Sequence, residues 1–288
     1  MQRLARARTA LERLIWGARE VGSLRTMAGL GRLIAIVVRK ESRTEVKTAS
    51  SGFRIAFNYP RQLMPLLVVF QELLDPELAV LPRLLGPGRV AVDVGASIGT
   101  WTLFAAKTGA VVHACEPDFE HFSQLEENVL SNGFKSNVIT HDCALGANEG
   151  WSAAAGHHFG FSRNFRLTAD ATQTRICALD HFVRRVGITR IDVLKINTAG
   201  CEADVLVGGK DLFRQEKVGV AMFLDGLAVR PLLDELKQFS YELGFYDGRK
   251  REFVRVDVSS NLDGLRPGPM NRHVLLKHSA VRLHPDLN

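Results

Sequence analysis

The sequence is short of nearly everything that marks a disulfide scaffold, a metalloprotein or a membrane span. Its 288 residues hold four cysteines, Cys115, Cys143, Cys177 and Cys201, with no Cys-x-x-Cys pair. That spacing argues against a disulfide framework or a zinc site and for free thiols in a reducing compartment. The nine histidines show no metal-ligand spacing, so no metal is expected. No apolar run reaches the roughly twenty residues needed to cross a bilayer. The run Leu33–Val38, which ends in Arg39-Lys40, is far shorter and lies too far into the chain for an ordinary signal peptide. A Gly-x-Gly-x-x-Gly fingerprint is also missing, which argues against an NAD-dependent oxidoreductase. What is left, 46% apolar and 24% charged residues, is ordinary for a globular protein with one sizeable core.

A surplus of basic charge is absent from most of the chain. The net charge of +6 comes from residues 1–50, which carry eleven Lys or Arg against four Asp or Glu; the other 238 carry 26 against 27. No nucleic-acid-binding face is therefore expected on the body. The basic segment reads as one or two helices, with Leu4, Leu11, Leu14, Ile15 and Ala18 on one face and Arg3, Arg6, Arg13 and Glu20 on others. We expect residues 1–50 to be a basic helical extension and linker, with residues 51–288 forming one domain. Residues 1–40 suit a solvated helix packed on the body, or peripheral contact with an anionic membrane. The expected location is cytoplasmic, peripheral to the inner face of the membrane.

The informative stretch is Val90 to Thr100. Val90–Val94 is a β-branched run of the kind buried in parallel sheets, and Ile98, Trp101, Thr102, Leu103 and Ala105 recur at helical spacing. Between them, Gly95-Ala96-Ser97-Ile98-Gly99 makes a strand, a tight turn and a helix N-terminus, where backbone N–H groups can approach a ligand. Asp93 lies at the strand end, Glu116 ends the next apolar run and Asp142 ends the one after. A carboxylate at the second strand tip can bind ribose hydroxyls at roughly 1.5–3 kcal/mol per hydrogen bond. Three strands ending in acids describe a site for S-adenosylmethionine (SAM). Asp93, Gly95, Ala96, Ser97 and Gly99 are expected at its methionine end, Glu116 with Pro117 at the ribose, and Asp142 with Cys143 at the adenine.

The chain resembles a family at this point. Phe70–Pro76, Val92–Gly99, Cys115-Glu116-Pro117, Leu125–Asn128, Cys143–Gly146, Ala178–Asp180 and Asp192–Asn197 occur in the order of FkbM-type methyltransferases. The resemblance runs from about Glu72 to Tyr246. It implies SAM-dependent O-methylation of a sugar, glycolipid or related secondary metabolite. It also implies a doubly wound, Rossmann-like class I methyltransferase sheet, mostly parallel and seven-stranded.

The remaining pattern fits such a sheet. Residues 44–52 read as a linker, Phe53–Phe57 as a strand and Leu63–Leu85 as proline-broken helix. Strands are expected at 138–142, 175–179, 191–197, 218–224, 252–257 and 273–277, with helices at 119–130 and 231–243 and a turn at 244–248. Residues 144–174 read as an irregular, aromatic-rich loop suited to substrate contact.

The chain departs from its relatives after the fourth core strand. Where the family pattern is close to Lys-Ile-Asp-x-Glu-Gly-x-Glu, this sequence reads Lys195-Ile-Asn197-Thr-Ala199-Gly-Cys-Glu202. Asn197 keeps the size and hydrogen bonding of aspartate but takes up no proton, and Ala199 removes a carboxylate. The candidate catalytic residues are therefore Lys195, Asn197 and one of His157 or His158 as base, most simply His158. The rival reading is a non-catalytic relative with a binding or regulatory role.

Overall fold

The computed structural model describes residues 14–153, 173–198, 200–223, 229, 232, 238–247, 252–256 and 273–282. The expected readings at Leu4, Leu11, His157, His158, Phe159, Phe161, Phe165, Ala199 and most of 231–240 lie outside the described residues.

Residues 14–21 are helical, and α1 (Ser23–Arg39) follows. Next come the hairpin β1 (Arg43–Lys47) and β2 (Arg54–Asn58), then the short helices α2 (Pro65–Phe70) and α3 (Pro76–Leu84). The alternating part runs β3 (Val90–Val94), α4 (Thr100–Lys107), β4 (Val111–Cys115), α5 (Phe119–Ser131) and β5 (Val138–His141). Three short strands follow, β6 (Ala144–Gly146), β7 (Gly150–Ala153) and β8 (Gln173–Ala178), and then α6 (Leu179–Arg185). The chain returns to the main sheet with β9 (Ile191–Ile196), α7 (Glu202–Gly208), α8 (Lys210–Arg214) and β10 (Val218–Phe223). It closes with β11 (Tyr241–Asp247), β12 (Glu252–Arg255) and β13 (Val274–His278).

The main sheet has the order β12-β11-β13-β10-β9-β3-β4-β5. β10, β9, β3, β4 and β5 pair in parallel, and β13, β11 and β12 add antiparallel pairs. Strands β9 and β10 are buried at every position and β3 at all but its first, because helices cover both faces. From β3 the chain builds outward through β4 and β5, then returns to build the other way through β9 and β10. The carboxyl ends of β3 and β9 are thus the topological switch point, where open α/β sheets leave a crevice.

Three local expectations need correction. The sheet has eight strands, not seven, because Tyr241–Asp247, read as a helix end and a turn, is a strand. β11 is paired on both sides, and Gly244 approaches β12 so closely that a Cβ there would lie 2.2 Å from the Val254 carbonyl. Ladder bonds on both edges override the apolar spacing that suggested a helix. The supposed linker at 44–52 begins as β1, whose Thr44 and Val46 alternate inward against β2. The supposed irregular loop contains β6, β7 and the start of β8, a three-stranded sheet of its own.

Candidate active site

The turn after β3 is shaped by two glycines. Gly95 has φ 74°, and a Cβ on it would stand 2.2 Å from the Asn197 carbonyl oxygen, so a side chain here would push β9 away. Gly99 has φ 90° at the start of α4, and its missing Cβ leaves room for Leu125. Between them Ser97 has φ 52°, a left-handed conformation that costs a non-glycine residue about 1 kcal/mol. Neighbouring hydrogen bonds hold it there. The Gly95 and Ala96 N–H groups both donate to the Cys115 carbonyl at 2.9 and 3.0 Å.

The strand tips are level. Val94 is in register with Cys115, and Cys115 with His141, so Gly95, Glu116 and Asp142 each stand one residue beyond the same row. Glu116 is 2% exposed and accepts from the Ser97 N–H (2.7 Å) and the Asp118 N–H (2.9 Å). Pro117, which has no N–H, lies between, and the next amide reaches back to the carboxylate. Glu116 is thereby clamped against the glycine turn. Asp142 is exposed, and Cys143 is buried behind it. Burial, and then a hydrogen bond with Cys143, pushes the Cys115 thiol well up; that same bond draws Cys143 down.

Asp93 sits within β3, one residue before its end. It is fully buried, accepts from the Thr102 hydroxyl at 2.7 Å, and lies 2.7 Å from the Lys195 ammonium. Lys195 is its register partner on β9 and also donates to the Gly95 carbonyl at 2.8 Å. This ion pair supports the turn from below. Asn197 is anchored through its backbone, its N–H donating to the Val94 carbonyl at 2.9 Å. The Glu202 carboxylate accepts from the Thr198 and Gly200 N–H groups, both at 3.0 Å, and so braces the loop after β9.

Two contributors escaped the reading of the sequence. Thr102 carried only a helix-start signal. Asn128 stood in a family block but with no role attached. It is fully buried, and its side-chain amide donates to the Ala56 and Ile98 carbonyls (3.0 and 2.7 Å) while its oxygen accepts from the Ala56 N–H at 2.9 Å. It ties the glycine turn to β2.

The donor set suits an adenosyl amino-acid ligand. The buried hydroxyls of Thr100 and Thr198 flank the turn without a hydrogen-bond partner among the described residues. Thr198 Cα would stand 3.6 Å from a Cβ on Gly95. Hydroxyls without a described partner at a glycine turn that also holds a carboxylate are what a ligand with a carboxylate, an ammonium and a ribose can use. Among the described residues no group of three or more His, Cys, Asp or Glu side chains is placed to hold a metal ion.

The chain is similar to known methyltransferases. The methyltransferase FkbM domain profile matches residues 93–254, more than half of the chain. Similar solved structures include the methyltransferase FkbM from Methylobacillus flagellatus, at 15% identity and TM-score 0.44, covering 74% of this chain and 53% of that one. The chain thus spans about half the length of that protein. An rRNA methylase from Streptococcus thermophilus matches at 14% identity and TM-score 0.40, covering 70% of this chain and 93% of that one. Precorrin-6y C5,15-methyltransferase from Geobacter metallireducens matches at 12% identity and TM-score 0.40, covering 73% and 89%. The comparison with curated proteins gives no match. The sheet is that of a class I methyltransferase, and the chain belongs to the FkbM methyltransferase family.

Proposed function

We propose that the protein binds SAM over the β3–β9 crevice and transfers its methyl group to a hydroxyl of a carbohydrate or glycolipid. The observation that carries this reading is the Glu116 carboxylate held by the Ser97 N–H on the glycine turn. Gly95, Ala96 and Gly99 would receive the methionine part, Glu116 the ribose, and Asp142 with Cys143 the adenine. Bound SAM supplies an electrophilic methyl on a sulfonium. The protein's part is mainly in-line placement, which can contribute roughly 7–11 kcal/mol. Asn197 stands at the tip of β9, beside Gly95, where its amide can orient an acceptor hydroxyl without taking its proton.

Titration calorimetry with SAM and with S-adenosylhomocysteine tests the reading. Binding of both is expected, weakened about 10- to 100-fold in Glu116→Ala, as loss of one or two charge-assisted hydrogen bonds implies. A protein that binds neither would overturn it. Asn197, in place of the family's aspartate, favours the second reading, a non-catalytic relative. Methyl transfer to glycan acceptors separates the two, and a large gain in turnover on Asn197→Asp would show that the native site is degenerate.

We further propose that α1 seats the protein on an anionic membrane, close to lipid-linked acceptors. Leu24, Met27, Ile34 and Val38 form an exposed stripe on α1, and the helix contains three arginines and no acid.

A further inference from the structure

A second polar pair stands at the same edge of the sheet, outside everything described so far. The row Val94–Ile196–Phe223–Val274 crosses β3, β9, β10 and β13 in register. β13 runs antiparallel, so the residue before Val274 stands level with those after Val94 and Ile196. His273 therefore lies at the carboxyl edge, in line with Gly95 and Asn197. At about 4.8 Å per strand its backbone is about 10 Å from Asn197 and about 14 Å from Gly95.

The His273 ring is held from one side. Its Nδ1 is 2.5 Å from Glu77 Oε1, in the first turn of α3, and the two side chains are 6% and 5% exposed. A carboxylate against Nδ1 draws a ring proton to that nitrogen, and the neutral ring then carries its lone pair on Nε2. Nε2 is shut off from solvent and has no hydrogen-bond partner among the described residues. A strut between α3 and β13 would use Nδ1 alone and has no need of an Nε2 without a partner among the described residues. A base needs that nitrogen open to receive a proton from a hydroxyl.

We infer that His273 is the general base of methyl transfer, with Glu77 as its positioning residue; the inference rests on the methyltransferase reading above. The acceptor hydroxyl donates its proton to Nε2 while an oxygen lone pair forms the bond to the methyl carbon. The carbon–sulfur bond breaks and its electron pair stays on sulfur. The products are a methyl ether, a thioether and a histidinium facing the Glu77 carboxylate. A base at this position also accounts for a site that carries asparagine at 197.

The test uses the full chain with 15N-labelled histidine and saturating S-adenosylhomocysteine at neutral pH. The His273 signal, assigned by its loss in His273→Gln, should show an unprotonated Nε2 and a protonated Nδ1. Methyl glycosides added as probe acceptors should shift Nε2, and Glu77→Gln should mix the tautomers. In parallel, transfer from SAM to the same glycosides should fall about 10²- to 10⁴-fold in His273→Gln, mostly in kcat, with SAM affinity unchanged. Added imidazole should restore part of the rate in His273→Ala. A protonated Nε2, or one indifferent to both ligand and Glu77→Gln, would overturn the inference, as would wild-type turnover in His273→Gln. If no probe glycoside is methylated, the spectroscopic result decides alone. Failure of the wild-type protein to bind SAM would instead defeat the underlying reading.

Discussion

Asp93 and Lys195, both expected at the site, form an ion pair beneath the glycine turn. Both sit inside the sheet, 0% and 6% exposed at the side chain, so neither charge is tolerable without the other. Lys195→Met would leave the Asp93 carboxylate buried with Thr102 as its described hydrogen-bond donor. We expect a loss of about 3–5 kcal/mol in urea unfolding. Asp93→Asn combined with Lys195→Met should recover a good part of it, because the uncompensated charge goes with its partner. A double substitution no better than Lys195→Met alone would mean that the pair does not carry the turn. The acids at the strand tips were legible because strand-end carboxylates stand out in an apolar run. Their division of labour was not, since Asp93 and Glu116 look alike until the register puts Lys195 opposite Asp93.

Pairing between elements decides what periodicity leaves open. β3, β4, β9 and β10 were readable as buried apolar runs, whereas β11 was not, because its seven residues owe their form to two neighbouring strands. The β4–β5 pair carries its own pH response. His113 Nδ1 and His141 Nε2 lie 3.0 Å apart, with rings stacked at 9° and Phe182 edge-on to both. One ring must donate and the other accept, an arrangement that requires at least one neutral ring. Burial lowers His113, and burial, then His113 and Arg185, bring His141 down to about 4. The unfolded chain, with histidine near about 6.5, binds more protons between those values, so stability falls as pH drops through that window. The loss is on the order of 2–3 kcal/mol and is complete only below about pH 4. In His141→Phe, urea midpoints measured from neutral to acid pH should fall less steeply; an unchanged slope would assign the acid limb elsewhere. Asn128→Ala tests the neighbouring joint between β2 and the glycine turn. It strands three backbone groups and should cost about 3 kcal/mol, read as a lower Tm, with weaker SAM binding as the turn loosens.

Charge and apolar surface are distributed across the chain in a way that only the three-dimensional arrangement makes specific. From the sequence, residues 1–40 read as a helix packed on the body or as a membrane contact, and α1 packs on the body while leaving an apolar face exposed. Its inner face lays Thr26 and Ile36 into the protein and brings Gly29 against the Val69 backbone. Its outer face leaves Leu24 83%, Met27 68%, Ile34 61% and Val38 74% exposed. Arg25, Arg32 and Arg39, spaced by seven residues, follow one flank, with Lys40 beyond. No helix among the described residues is long and apolar enough to cross a membrane, and the proposal for α1 is that it lies on one. Each basic residue near an anionic surface adds about 1 kcal/mol, and the stripe adds apolar burial at roughly 25 cal/mol per Å². Deleting the segment would be a poor test, because Ile36 and β1 belong to the core. Leu24→Asp combined with Ile34→Asp changes only the exposed face. The full chain should sediment with vesicles containing phosphatidylserine, less with pure phosphatidylcholine, and less again at high salt. The doubly substituted chain should stay in the supernatant with its Tm nearly unchanged. Equal sedimentation of both chains would leave α1 as a helix that packs on the body and nothing more.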